Sequence, residues 1–151
     1  MALFVETGPI THGIQLAIAP VFLLTAVSGL IGAVAGRLSR IIDRGRVLEE
    51  KLRLKTDPSQ VPVWREELVL LRRRGHIANF AIGLLTLCAF MIGLTIVVLF
   101  LGETTTYQTD RLAIYGFLGG VLCFMAALGC FFTETMLATR VLKFGGQLDA
   151  G

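Results

Sequence analysis

The sequence predicts an all-α membrane protein: three transmembrane helices, with a long cytoplasmic antiparallel helical hairpin between the first and second. Three observations predict it. No Asp, Glu, Lys or Arg appears from Thr7 to Gly36, from Ile77 to Gly102, or from Leu112 to Thr133. Each run is long enough to cross a hydrocarbon core roughly 30 Å thick, which takes about 20 helical residues. The charges are gathered elsewhere: of 14 Lys and Arg, 11 lie between Arg37 and His76.

Composition agrees. The 151 residues are 54% hydrophobic, with a mean hydropathy of +0.74. The length fits one domain, residues 1–151. A soluble chain of this size has too little interior to hide so much apolar surface. In a bilayer, lipid-facing side chains need no burial in protein.

The first span is expected at about 14–36. It is expected to be retained rather than cleaved, although Ala33-Val34-Ala35 has the small-residue form of a cleavage site. The stretch is longer than a signal h-region, Glu6 is the only charge ahead of it, and strong positive charge follows. The helical pattern continues beyond the span. Leu38, Ile41, Ile42, Leu48 and Leu52 fall on one face, and Glu49 and Arg53 are spaced as an i,i+4 pair.

Asp57-Pro58 and Pro62 then mark a turn within residues 56–62, with Pro62 placed to open a second helix. Trp64, Leu68, Leu71, Gly75 and Ala78 alternate steps of four and three, a short heptad seam. Residues 37–76 therefore read as a coiled-coil-like hairpin, leading into a second span at about 77–101. Asp110 is a capping residue for the third helix, whose span is expected at about 112–133. That helix should run on to Lys143 before Gly145-Gly146 ends it.

Basic residues in short loops mark the cytoplasmic side. The hairpin and the C-terminus, with Arg140 and Lys143, are thus predicted inside. The N-terminus and the loop from Gly102 to Arg111 are predicted outside. A net charge of +3 gathered this way points to a membrane surface rather than to nucleic acid. Cys88, Cys123 and Cys130 lie inside spans as apolar fillers, without the spacing of a metal site.

Three stretches carry a family resemblance: AIAPVFLLTAVSGLIGAVAG in the first span, RLSRIIDRGRVLEE after it, and ELVLLRRRGHIANFAI before the second. Through Pro20, the Asp43-Arg44 pair and the arginine triplet, the chain resembles a family of small bacterial three-span membrane proteins described only as a domain of unknown function. The likeness covers about Ile14 to Arg140. It implies a bacterial inner-membrane protein and implies no activity.

The residues themselves offer three features to weigh. Pro20 inside an apolar helix is a hinge candidate or a static kink. Thr25, Ser28, Gly32 and Gly36 form a small, weakly polar stripe, suited to close helix packing or to lining a pore; Gly116 and Gly120 offer a second small face. Arg37, Arg40, Arg72, Arg73, Arg74, His76 and Glu134 form a charge cluster at the inner interface. Its arginines suit anionic lipid headgroups. Glu134 needs a cationic partner, in a static salt bridge or in a gate that titrates with His76.

The spans hold no intramembrane acid or base, which argues against an ion-coupled pump, and no nucleophile–base set, which argues against an enzyme. No cofactor is expected. The expected function is that of a homo-oligomer forming a channel or pore. The alternative is a non-conducting scaffold or accessory subunit that binds a membrane-protein partner through the hairpin.

Overall fold

The computed structural model describes the backbone of residues 9–54, 58–104 and 110–145, and the side chains of residues 14–54, 58–102 and 111–139. Three helices hold nearly all of it: α1, Pro9–Leu54; α2, Val61–Thr104; and α3, Asp110–Gly145. Among the described residues there is no strand. Each helix is long and apolar enough to cross a membrane, over Ile14–Leu54, Val61–Gly102 and Arg111–Thr139.

The helix ends follow local chemistry. Pro62 sits in the first turn of α2, where a missing N–H costs nothing. Lys51 and Arg53 occupy the last turn of α1, facing the negative end of its dipole. α3 starts at Asp110 and ends at Gly145, as expected, although the capping side chain of Asp110 lies outside the described residues. Thr56 and Asp57 of the predicted turn, and Lys55 before it, also lie outside them. Pro20 is buried and α1 is helical on both sides of it.

Buried positions recur every seven residues on all three helices. On α1 they are Pro20, Val27, Val34, Ile41 and Leu48. On α2 the line Leu71, Ala78, Leu85 and Ile92 is accompanied by Ala81, Cys88 and Thr95. On α3 they are Ala113, Gly120, Ala127 and Glu134. A seven-residue repeat keeps one narrow stripe of a helix against its neighbours with little drift. Phe22, Phe80, Phe90, Tyr115 and Leu122 point outward, as lipid-facing side chains do.

The chain divides into two compact units. One comprises Met1–Leu30 and Leu85–Met125. Here α2 and α3 approach closely: a Cβ added at Gly116 would lie 2.7 Å from Thr95 Oγ1, and one at Gly120 would lie 2.7 Å from Ile92 Cδ1. Backbones this close need glycine at the crossing. Thr95 is buried yet satisfied, donating its hydroxyl to the Met91 carbonyl at 2.8 Å.

The other unit comprises Ile31–Leu84 and Ala126–Gly151. Ile41, Leu48 and Leu71 form its apolar cluster, with Trp64 and Leu68 packed on it. The face expected on α1 shifts slightly. Ile41 and Leu48 are buried, Leu38 and Leu52 are half-buried, and Ile42 is exposed. The reason is helical phase: Ile42 lies about 100° round the helix from Ile41, off the line through Val34, Ile41 and Leu48. Glu49 accepts from Arg72 of α2 at 3.0 Å rather than pairing along α1 with Arg53.

Candidate functional site

In the second unit two guanidiniums meet on one carboxylate. Glu134 occupies the last buried position of the α3 repeat, and its side chain is 2% exposed. Arg37 of α1 donates from Nη1 to Glu134 Oε2 at 2.6 Å. Arg74 of α2 donates to Oε1 from Nη2 at 2.8 Å and from Nε at 3.2 Å. One acid on α3 thus ties α1 to α2 as well as to its own helix.

Sequence places each member. Arg37 follows buried Val34 by three residues, and Arg74 follows buried Leu71 by three, so each flanks the buried line of its helix. Long side chains then reach inward from the flank. Arg37 also donates to Thr135 Oγ1 at 2.7 Å and lies over the Phe131 ring, 5.1 Å from its centroid. Thr135 in turn donates its hydroxyl to the Phe131 carbonyl at 2.9 Å. The aromatic face and the hydroxyl help the carboxylate to orient the planar guanidinium of Arg37.

The arrangement is a charge-assisted hydrogen-bond network. Both carboxylate oxygens are engaged by charge-assisted bonds, the strong class. Two guanidiniums on one carboxylate leave a surplus positive charge, and the Arg37 side chain, 39% exposed, carries it toward the surroundings. Among the described residues no buried side-chain nitrogen or oxygen lacks a partner. Nor do three His, Cys, Asp or Glu side chains gather among them as metal ligands would.

The rest of the predicted cluster is dispersed. Arg72 pairs with Glu49, both well exposed. Arg40, Arg73 and His76 are exposed on the helix surfaces, and the carboxylate takes Arg74 in place of His76. A forked pair further along, Arg44 with Glu67 at 2.8 and 3.3 Å, links α1 to α2 again. The Arg44 guanidinium is held above its ordinary range, first by that hydrogen bond and then by the charge of Glu67.

The small stripe on α1 stays open. Thr25 and Ser28 are exposed, and a Cβ at Gly32 or Gly36 would meet nothing within 4 Å. Thr25 Oγ1 donates back to the Val21 carbonyl at 3.3 Å. The second small face behaves differently, since Gly116 and Gly120 are filled by α2. Phe131 and Thr135, which hold Arg37, carry a weak sequence signal: Phe131 lies about one turn before Glu134, and Thr135 follows it directly.

The family model described as "Protein of unknown function (DUF2721)" matches residues 17–144. No curated protein matches the chain, and no solved structure does.

Proposed function

The chain belongs to the DUF2721 family, whose description assigns no activity, and we propose that it acts as a homo-oligomeric, pore-forming protein of the bacterial inner membrane. One observation carries this reading. Thr25, Ser28, Gly32 and Gly36 form a small, weakly polar face that the chain's own helices leave open. Association within lipid depends on close packing, because lipid is as apolar as leucine. Small residues allow it. Copies joined along α1 bring Thr25 and Ser28 to a shared axis, where hydroxyls and helix carbonyls can replace water around an ion.

In this reading the charged stretch 37–76 is a cytoplasmic helical hairpin, with the C-terminus inside and the N-terminus outside. The concentration of 11 of the 14 Lys and Arg there supports the orientation. Exposed Arg40 and Arg73 meet anionic headgroups. The Arg37–Glu134–Arg74 clamp holds the inner ends of the spans in fixed register. The protein is non-enzymatic and uses no cofactor.

A second reading is favoured by Leu54, Val63 and Val69, large apolar residues exposed among the charges of the hairpin. They suit a scaffold that grips a membrane-protein partner.

The test is purification into lipid nanodiscs, native mass spectrometry, and ion flux from liposomes under applied voltage. A homo-oligomer that conducts, loses conductance on Ser28→Leu without dissociating, and dissociates on Gly32→Leu is expected. A monomer refutes self-assembly. An oligomer without flux at any voltage, pH or tension refutes the pore and leaves the scaffold.

A further inference from the structure

The α2–α3 seam of the first unit has a fixed register. Gly116 lies against Thr95, and Gly120 lies against Ile92. Three residues back along α2 therefore match four forward along α3, as in an antiparallel pair. The complementary step, four back along α2 and three forward along α3, carries Ile92 to Cys88 and Gly120 to Cys123. The two thiols are free, and this register sets them at the same level of the two helices. Cys88 is fully buried in the seam, and Cys123 is half-buried at its edge.

The neighbouring glycines matter here. A disulfide needs Cα atoms within about 7 Å. Helices carrying large side chains at the crossing stay about 8–10 Å apart axis to axis. With no Cβ at Gly116 or Gly120, the backbones come closer just one turn from the cysteine pair.

We propose that Cys88 and Cys123 are a redox-closing pair, which stitches α2 to α3 by an intramembrane disulfide with dioxygen as the electron acceptor. Both S–H bonds break and one S–S bond forms. The two electrons and two protons pass to dioxygen, giving hydrogen peroxide. Dioxygen is itself apolar and enters hydrocarbon. Cys123, at the edge of the seam, is the thiol that the oxidant reaches, and Cys88 resolves it from within. Thiols in apolar surroundings hold little thiolate and react slowly, so closure calls for a catalyst that enters the bilayer. Cys130 lies seven residues along the same helix as Cys123, too far for those two to bond. The proposal is independent of whether the protein conducts.

The experiment uses the full chain in lipid nanodiscs, exposed to copper–phenanthroline in air. Remaining thiols are then counted with a maleimide–polyethylene glycol after denaturation in SDS. The wild type should fall from three labels to one, and Cys130→Ser from two to none. Cys88→Ser and Cys123→Ser should each keep two. Peptide mass spectrometry should find the segment of Cys88 linked to that of Cys123, two hydrogens lighter than the sum. Three labels on the oxidised wild type would overturn the proposal. So would a linkage through Cys130 or one between protomers. The wild type and Cys130→Ser decide the matter by themselves should either of the other variants fail to fold.

Discussion

Replacing Glu134 by glutamine removes a negative charge from between two guanidiniums while keeping the size of the side chain. The carboxylate is 2% exposed, Arg74 is 19% exposed and Arg37 is 39% exposed. Removing one partner of a buried ion pair costs about 3–5 kcal/mol. Arg37 is open enough to turn toward water or headgroups, so its share falls toward the roughly 0–1 kcal/mol of an exposed pair. Arg74 has no such exit and makes two of the three bonds to the carboxylate. The expected loss is therefore about 3 kcal/mol, the low end of the buried range.

Trp64 is the only tryptophan, and it packs on the Ile41–Leu48–Leu71 cluster of the same unit. Its emission, followed as SDS is titrated into detergent micelles, reports the unfolding of that unit directly. Arg74→Ala should cost nearly as much as Glu134→Gln, and Arg37→Ala about 1 kcal/mol. A Glu134→Gln midpoint equal to that of the wild type would refute the clamp as a buried contact. Equal costs for the two arginines would refute the exposure argument.

Other outcomes follow from the packing. Gly120→Leu sets a large side chain where Ile92 already stands 2.7 Å from a Cβ, and overpacking should cost about 1–3 kcal/mol, read from the helical circular dichroism signal as SDS is titrated. Leu48→Ala empties a site that is 1% exposed, and the loss should be about 2–5 kcal/mol with a red shift of Trp64 emission. Arg44→Ala removes a pair whose side chains are 53% and 31% exposed, and stability should change by less than about 1 kcal/mol. Because the Arg44 value is raised on folding, its contribution is present below the unfolded guanidinium value and lost only as pH rises through the folded one. The wild-type-minus-Arg44→Ala difference in midpoint should therefore show no loss on the alkaline side of neutrality until the arginine range is reached.

The spans and most helix ends are legible in one dimension, because a charge-free run or a terminal Gly or Pro carries its meaning locally. The need of Glu134 for a cation is legible too, as a lone acid beyond a long apolar run. Which cation it takes is a matter of phase. Arg72, Arg73, Arg74 and His76 are near neighbours in sequence, yet only Arg74 follows buried Leu71 by three and precedes buried Ala78 by four. That phase becomes visible only when the seven-residue line is followed from the charged stretch into the span. The same continuity separates Ile41 from Ile42. The two small-residue faces look alike in sequence. Whether Gly116 or Gly32 meets a neighbour depends on where another helix lies, which no local pattern holds.

The contact of Arg37 with Glu134 joins residues 97 apart in the chain, and this has a consequence for biogenesis. A ribosome delivers α1 and α2 first, with Arg37 and Arg74 present and the Glu134 carboxylate that joins them still to come. Until α3 arrives, Arg37 and Arg74 repel across the gap that the carboxylate will fill. An intermediate of two helices should therefore be joined by the Ile41–Leu48–Leu71 cluster and the Arg44–Glu67 and Arg72–Glu49 pairs, yet hold Arg37 and Arg74 toward water or phosphate. The last helix acts as a latch that only a fully translated chain possesses. A chain truncated before Glu134 would present unlatched cationic helices, a distinction that membrane proteases could use to discard it.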